Sequence, residues 1–286
     1  MKTLNTTRFV EGLIYGEGPR WHDDRLWFTD GPANAVKAVD ADGRIEVAFE
    51  TRHPSGLGWL PDGTIVITAL RSAVVTLVDT DGVVITHDLN DRAWSTNDLV
   101  AGPNGAIYLD LYHRDRGGAY NQNGGGVSGE IAVMTPQGEV EIVASDVTLP
   151  NGLAISAEGS TLVASDTGAD RLVAYDIADD GTLENARTFA ELDANGHPDG
   201  LCLDAEGAAW VGCYNAEQFV RVLEGGRITH RIPTGGGWAV APALGGPDRR
   251  TLYLVINDTT IEGLPTNDSK GRIESVHVDV PGAGWP

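Results

Sequence analysis

Short apolar segments separated by turn residues recur along the chain. Five of them share one form, an apolar strand, a turn with Gly or Asp, and a second β-rich strand: "EGPRWHDDRLWFTD", "SGLGWLPDGTIVIT", "NDLVAGPNGAIYLD", "NGLAISAEGSTLVASD" and "DGLCLDAEGAAWVGCY". A looser sixth reads "WAVAPALGGPDRRTLYLV". Each segment predicts a β-hairpin, because apolar and β-branched runs flank a tight turn.

A second set of hairpins lies between these segments. Their predicted turns are DADG at 40, DTDG at 79, TPQG at 135, DDG at 179, EGG at 224 and SKGR at 269. Two hairpins make four strands per repeat, and the repeats recur at intervals of 39 to 55 residues. Such a period is typical of β-propellers, whereas a β-sandwich would not repeat one hairpin type six times. The sequence therefore predicts an all-β, six-bladed β-propeller over 1–286 as a single domain, closed by the N-terminal TTRFVEGL as a strand of the last blade.

Aligning the repeats on their turns brings one position of each first strand into register. The innermost strands of a propeller line its channel, so these six positions, which we call the slots, should converge at one end of it. The slots hold Glu17, Ser55, Asn97, Asn151, Asp199 and Trp238. Asn-Gly and Asp-Gly are common turn dipeptides, which leaves a purely structural reading open for any one slot. Four oxygen-bearing slots together favour a shared site.

The chemistry of the slots suits a hard cation. Two carboxylates and two amides converge, with no Cys or His, and Ca²⁺ prefers such oxygen donors, as do Mg²⁺ and Mn²⁺. The neighbours Gly18, Gly152 and Gly200 would let the main chain come close. The residue after the slot is Gly in four repeats, Asp98 in the third and Ala in the sixth.

Composition narrows the possible partners. With 20 Lys and Arg against 41 Asp and Glu, the net charge is −21, which disfavours nucleic acid and anionic membranes. The acidity indicates either solubility or attraction of a cation. Two cysteines, Cys202 and Cys213, form neither a disulfide framework nor a zinc site. With no signal peptide and no long apolar run, we expect a soluble cytoplasmic protein.

Several segments together resemble the senescence marker protein, regucalcin and gluconolactonase family. They are "EGPRW", "STNDLVAGPNGAIYLD", "LPNGLAIS" and "HPDGLCLDAEGAAWVGCYN", and the similarity extends from Glu17 to about Asn257. The resemblance implies a six-bladed propeller that opens lactone rings with a divalent metal bound in its central channel. It further implies that Glu17, Asn151 and Asp199 bind the metal, that Asn97 faces metal or substrate, and that Asp199 also acts as acid and base. Ca²⁺ is the first choice, with Mg²⁺, Mn²⁺, Zn²⁺ and Fe²⁺ left open.

One position departs from the resemblance. Many family members carry Arg two residues before the Asn matching Asn97, where it holds the oxygens of a sugar lactone, whereas this chain has Ser95 in "AWSTND". The neighbouring Trp94 and Trp238 either make the mouth of the channel apolar or pack within the blades. We therefore expect a lactone that is less hydroxylated or more apolar than a sugar lactone.

The Gly-rich segment 114–130 lengthens one repeat interval to 55 residues. It is either a lid that brings Tyr112, His113 and Tyr120 to the substrate or a plain connector.

No G-x-S-x-G motif is present, and His197 is more typical of a turn histidine than of a catalytic one. Two other functions stay open, a Ca²⁺-binding propeller without catalysis and a metal-dependent phosphotriester hydrolase.

Overall fold

A computed structural model describes residues 1–114 and 127–284, and almost all regular structure in these ranges is β-strand. In chain order the first strands are β1 (Lys2–Thr3), β2 (Thr7–Leu13), β3 (Gly16–His22), β4 (Arg25–Asp30), β5 (Ala35–Val39), β6 (Ile45–Glu50), β7 (Pro54–Trp59), β8 (Ile65–Ala69), β9 (Val74–Val78), β10 (Val84–Asp88), β11 (Leu99–Ala101), β12 (Ile107–Arg114) and β13 (Val127–Met134). The others are β14 (Val140–Ala144), β15 (Pro150–Ile155), β16 (Thr161–Asp166), β17 (Arg171–Ile177), β18 (Leu183–Glu191), β19 (Pro198–Leu203), β20 (Ala209–Cys213), β21 (Gln218–Val222), β22 (Ile228–Pro233), β23 (Trp238–Gly245), β24 (Thr251–Thr259) and β25 (Ser269–His277).

Short 3₁₀ turns at Gly31–Ala33, Thr167–Ala169 and Leu264–Thr266 are the helical segments of the described ranges. No helix within residues 1–114 and 127–284 is long and apolar enough to cross a membrane.

The strands form six antiparallel blades of four strands each. Blades 1 to 5 are β3–β6, β7–β10, β11–β14, β15–β18 and β19–β22, and β1 adds a short parallel strand to the outer edge of blade 5. Blade 6 consists of β23, β24, β25 and, outermost, β2. The first strand of each blade contacts the first strands of both neighbouring blades, so the ring is closed. The predicted six-bladed propeller and its closure by the N-terminal strand are confirmed.

The predicted turn at 269 is wrong. Ser269 and Lys270 begin β25 and pair with Thr259 and Asp258 of β24, and residues 260–268 connect the two strands. Blade 6 takes its fourth strand from the N-terminus, so the chain needs no second hairpin there. The other five predicted turns of this set lie between the third and fourth strands of their blades, as expected.

The core is divided among the blade interfaces. Each of the six interfaces holds a cluster of buried apolar side chains contributed by both blades. Leu57 faces blade 1 and Phe28 faces blade 6, and both are fully buried. Because both faces of every sheet are covered by a neighbour, burial of apolar area stabilises the ring as a whole rather than any one blade.

Candidate metal centre

The slots lie at the same end of the ring, which we call the front. Glu17, Asn151 and Asp199 are each the second residue of a first strand, and Asn97 lies two residues before β11. In blades 1, 2, 4 and 5 the pairing register shifts just after the slot, as between Glu17 and Arg20. Such a bulge turns a side chain out of its ladder position, which here allows the slot residues to face the channel.

The main chain at the slots is held by the preceding blade. Four side chains from second strands donate to a carbonyl at or beside a slot, and we call these contacts the interblade hydrogen bonds. They join Thr29 Oγ1 to Ser55 O (2.7 Å), Thr68 Oγ1 to Asn97 O, Ser165 Oγ to Asp199 O (2.6 Å) and Asn257 Nδ2 to Gly16 O (3.0 Å). Asn257 also accepts from the Gly16 amide at 3.0 Å. The slots of blades 1, 2, 3 and 5 are therefore each fixed by two blades rather than one.

Four slot side chains form a directed run of hydrogen bonds, which we call the slot relay. Ser55 Oγ donates to Asn97 Oδ1 at 2.5 Å, and Asn97 Nδ2 donates to Asn151 Oδ1 at 3.1 Å. Asn151 in turn is hydrogen-bonded to the Asp199 carboxylate. The structure thus brings Asn97, Asn151 and Asp199 into direct contact.

The carboxylates of Glu17 and Asp199, both at the front of the channel, repel each other. Burial raises the pKa of Glu17 well above its usual range, and the charges of Asp199 and Asp98 raise it further, against a weaker opposing hydrogen bond from Gly18 N. Burial, and then the charge of Asp98, raises the pKa of Asp199 to about 8, although hydrogen bonds from Asn151 and Gly200 oppose the shift. The site is thus electrostatically unfavourable for two carboxylates without an added cation.

Sequence reasoning missed Asp98 and its partner Arg20. Asp98 Oδ1 accepts from Arg20 Nη2 at 3.1 Å and from Leu99 N at 2.8 Å, and its Oδ2 accepts from Leu153 N at 3.1 Å. Arg20 is 5% exposed. The sequence did contain one signal, because Asp98 occupies the position after a slot that is Gly in four of the repeats. The signal did not identify Arg20, because this partner of Asp98 lies 78 residues away in the sequence.

The donor set fits a hard divalent cation. Within the described residues no three His, Cys, Asp or Glu side chains form a metal-binding group, so an ion here requires amide oxygens beside Glu17 and Asp199. Asn151 Oδ1 accepts one hydrogen bond and keeps a second lone pair. No Lys or Arg in the described ranges hydrogen-bonds to either carboxylate, which leaves their charge to be balanced.

Aromatic side chains flank the front opening on two sides. On one side Trp94 packs with Tyr112 and Leu149, and the Arg114 guanidinium lies 4.0 Å from the centre of the Trp94 ring. Tyr112 Oη donates to Pro150 O at 2.7 Å, which puts its ring next to the Asn151 slot.

On the other side Trp238 and Tyr214 have ring centroids 5.0 Å apart, and Tyr214 stacks on His197 at 5.5 Å. Tyr214 and His197 were not predicted as substrate contacts, although both stand in the segment that carries Asp199. Their aromatic rings extend the wall from blade 6 to blade 5.

Of three further predicted substrate contacts, Ser95 and His113 have polar partners within the protein and Tyr120 is not described. Ser95 is 1% exposed, and its hydroxyl accepts from Arg71 N at 3.0 Å and donates to Thr96 O at 3.1 Å. Its one proton is donated to the main chain, so this hydroxyl has no donor left for a substrate oxygen. His113 Nε2 lies 2.9 Å from Glu130 Oε2. Tyr120, like most of segment 114–130, is outside the described residues, so the lid stays a prediction.

A closed ring of six blades with an acidic, amide-lined channel end defines the class of protein as a six-bladed β-propeller with a candidate cation site. Residues 15–257 match the family described as SMP-30/Gluconolactonase/LRE-like region, and the chain belongs to this family.

Two characterised relatives align along nearly their whole length. The chain is 26% identical to 6-deoxy-6-sulfogluconolactonase of Pseudomonas putida over 96% of this chain and 94% of the relative. It is 25% identical to pentonolactonase XacC of Haloferax volcanii over 99% and 97% of the two chains. The solved structure of a calcium-binding regucalcin from Agrobacterium tumefaciens superposes with a TM-score of 0.78 at 22% identity, covering 100% of this chain and 98% of that one. At that identity the superposition shows the shared fold.

Proposed function

We propose that the protein is a metal-dependent hydrolase that opens a lactone ring at the front of the channel. One observation carries the proposal, namely the half-buried Glu17 and the buried Asp199 at the same end of the channel, with Asp199 joined to the slot amides, in a chain whose family includes relatives named as lactonases. Lactones are cyclic esters, and a cation beside a carboxylate base suits their hydrolysis.

Glu17, Asn151 and Asp199 would hold the cation, and Asn97 would face the cation or the substrate. When bound, the metal supplies a Lewis acid that polarises the ester carbonyl and stabilises the developing negative charge. Oxygen donors favour Ca²⁺, and the regucalcin of A. tumefaciens is a calcium-binding protein. Mg²⁺, Mn²⁺, Zn²⁺ and Fe²⁺ are the alternatives to be compared by metal analysis.

Asp199 is the proposed general base. Its carboxylate takes a proton from the water whose oxygen forms the new bond to the carbonyl carbon. The ring C–O bond then breaks, and the departing ring oxygen receives a proton from the same carboxyl group. Without a cation the pKa of Asp199 is about 8; beside one, Asp199 would be ionised at neutral pH and would be a weaker base.

The substrate is proposed to be less hydroxylated or more apolar than a sugar lactone. The walls of the opening support this, since Trp94 and Tyr112 lie on one side and Tyr214 and Trp238 on the other. Ser95 further supplies no guanidinium where many relatives have one. The two characterised relatives are named for sugar lactones, so this preference is where the chain should differ from them.

Metal analysis followed by a lactone panel tests the proposal. The purified protein is assayed with alkyl-substituted γ- and δ-lactones, aldonolactones and a phosphotriester, before and after treatment with a chelator. We expect lactone turnover that a chelator abolishes and added metal restores, with higher kcat/KM for the alkyl lactones. Metal binding without any turnover would support the non-catalytic alternative, and a dominant phosphotriester rate would support the other hydrolase.

A further inference from the structure

A small, partly open cavity lies at the rear of the channel, opposite the slots. It is a cavity of about 20 Å³ at the far ends of the first strands of blades 1, 4, 5 and 6. Its apolar lining includes Leu153, Leu201 and Leu244. The volume corresponds to roughly one or two water-sized spheres. The cavity is thus large enough for a single small ion.

The C-terminal segment covers this cavity. Gly282 and Ala283 line it, and Gly282 N donates to Arg249 O at 2.9 Å while Ala283 N donates to Leu203 O at 3.0 Å. Pro281 O accepts from Ala205 N at 2.8 Å. These main-chain contacts hold the segment across the rear end of the ring.

Two guanidinium groups, of Arg20 and Arg249, line the same cavity. In both side chains Nε is buried and has no hydrogen-bond partner. The two Nη atoms of Arg20 donate hydrogen bonds to Pro19 O at 2.9 Å, to Leu99 O at 2.8 Å and to Asp98. The Arg249 side chain takes part in none of the hydrogen bonds and ion pairs between residues of the described ranges. Buried donors without partners destabilise the folded state.

The charges around the cavity do not balance. Asp98 neutralises Arg20, but no carboxylate in the described ranges pairs with Arg249. Asp204 follows the lining residue Leu203, yet it is committed to Arg221 at 2.6 Å. Asp248 Oδ1 accepts a hydrogen bond from Arg250 N at 3.1 Å. Within residues 1–114 and 127–284 the guanidinium of Arg249 therefore lacks a carboxylate partner at this cavity.

We propose that this cavity is a binding site for a small monovalent anion, of the halide class, held by Arg20 and Arg249. A halide accepts hydrogen bonds from both guanidinium groups and donates none, which matches a lining of cationic and apolar side chains. A water molecule must also place its own two hydrogens, and phosphate or sulfate is too large for about 20 Å³. The anion would fasten blade 1, blade 6 and the C-terminal segment together, and this role does not depend on lactone hydrolysis.

Bromide is the probe, because its anomalous scattering identifies it. Crystals of the full chain are grown without chloride and soaked in sodium bromide. We expect one anomalous peak in the rear cavity, in contact with both Arg20 and Arg249. A cavity that is empty or holds only an ordered water in those crystals would overturn the proposal.

A solution measurement separates the site from general salt effects. Melting temperature is recorded against bromide and chloride concentration, with ionic strength held constant by sodium acetate, because a ligand that binds only the folded state raises it. We expect a rise in the parent protein and in Arg250→Gln, the matched loss of one charge in the same turn. Arg249→Gln should show none. An equal rise in both variants would mean that no halide binds at Arg249.

Discussion

At the level of single residues, the direction of each hydrogen bond in the slot relay decides which atoms remain for a cation. An ionised Asp199 carboxylate can only accept, so the amide nitrogen of Asn151 faces Asp199, the amide nitrogen of Asn97 faces Asn151, and Asn97 Oδ1 accepts from Ser55. Reversing any amide would put two acceptors or two donors together. The relay thus leaves a lone pair of Asn151 Oδ1 and one oxygen of Asp199 without a partner from the relay itself.

Asp199→Asn should retain the fold, because the side chain faces the channel and not a blade interface. Lactone turnover at saturating metal should fall by about 100-fold or more, the usual scale for loss of a general base. Steady-state kinetics check this against Asp193→Asn, an exposed carboxylate in the loop before the same strand. Near-normal turnover in metal-loaded Asp199→Asn would assign the base elsewhere.

Ser55→Ala removes the donor at the start of the relay. With no donor to fix its oxygen, Asn97 can rotate its amide, and Asn151 loses a defined partner. We expect Ca²⁺ affinity, measured by calorimetry, to fall about tenfold, which corresponds to about 1.4 kcal/mol, the scale of one hydrogen bond. Ser72→Ala removes a partly exposed hydroxyl from the same blade and should bind Ca²⁺ like the parent. Equal affinities in all three proteins would remove Ser55 from the relay.

Metal binding should release protons near neutral pH. The raised pKa values mean that the cation-free site holds a proton on Asp199 below about pH 8, and Glu17 shifts in the same direction. A cation needs the ionised carboxylates, so its affinity should rise as the pH increases from 6 to 8 and then level off. Calorimetry in buffers of different ionisation enthalpy counts the released protons. A Ca²⁺ affinity that is constant from pH 6 to 8 would contradict the raised pKa values.

At the level of elements, adjacent first strands approach so closely near the front that some positions accept only glycine. A Cβ on Gly152 would lie 2.5 Å from Asp199 O and 2.6 Å from Leu201 N. Both contacts are with main-chain atoms, which move only if β15 and β19 separate. The spacing of the first strands thereby sets the spacing of the slots.

Gly152→Ala should therefore affect stability and the site together. We expect a loss of about 1–3 kcal/mol in the free energy of unfolding, the usual cost of overpacking, with weaker Ca²⁺ binding. Gly31→Ala is the comparison, since its nearest contact would be 3.1 Å away and lies outside the slots. Urea denaturation and calorimetry measure the two effects. Unchanged Ca²⁺ binding in a destabilised Gly152→Ala would separate strand spacing from the site.

The elements also show what sequence can and cannot predict. Hairpins were predictable because their turns and apolar flanks are local, and the slots followed from aligning them. The start of β25 was wrongly predicted as the turn SKGR. In the other blades a turn follows the third strand, whereas the strand that pairs with the outer edge of β25 is β2, from the other end of the chain. The Arg20–Asp98 pair and the tilted contact between the Trp238 and Tyr214 rings were missed for the same reason, since both contacts join different blades.

At the level of the whole molecule, closure of the ring depends on β2. Val10 and Leu13 of this strand are buried against the cluster between blades 6 and 1. The two-residue β1, in contrast, only extends the outer edge of blade 5. The two N-terminal strands should therefore differ sharply in their importance.

Deletion of residues 1–13 should lower the free energy of unfolding by several kcal/mol, because it removes two buried aliphatic side chains and an entire strand pairing. Deletion of residues 1–5 removes only β1 and should cost much less. Chemical denaturation followed by Trp fluorescence compares the two proteins. Similar midpoints for both would show that the ring does not rely on β2 for closure.

The double hydrogen bond between Asn257 and Gly16 joins the last blade to the first slot, and this has a consequence for synthesis of the chain. Glu17 leaves the ribosome early, but the side chain that fixes the main chain beside it emerges about 240 residues later. Glu17, Asn151 and Asp199 are all translated before Asn257, yet they cannot be brought to their final spacing until blade 6 has been made. A chain interrupted before Asn257 would carry every proposed ligand and still retain calcium poorly. At the proposed metal site, retention of the cation would therefore indicate that the whole ring has been translated.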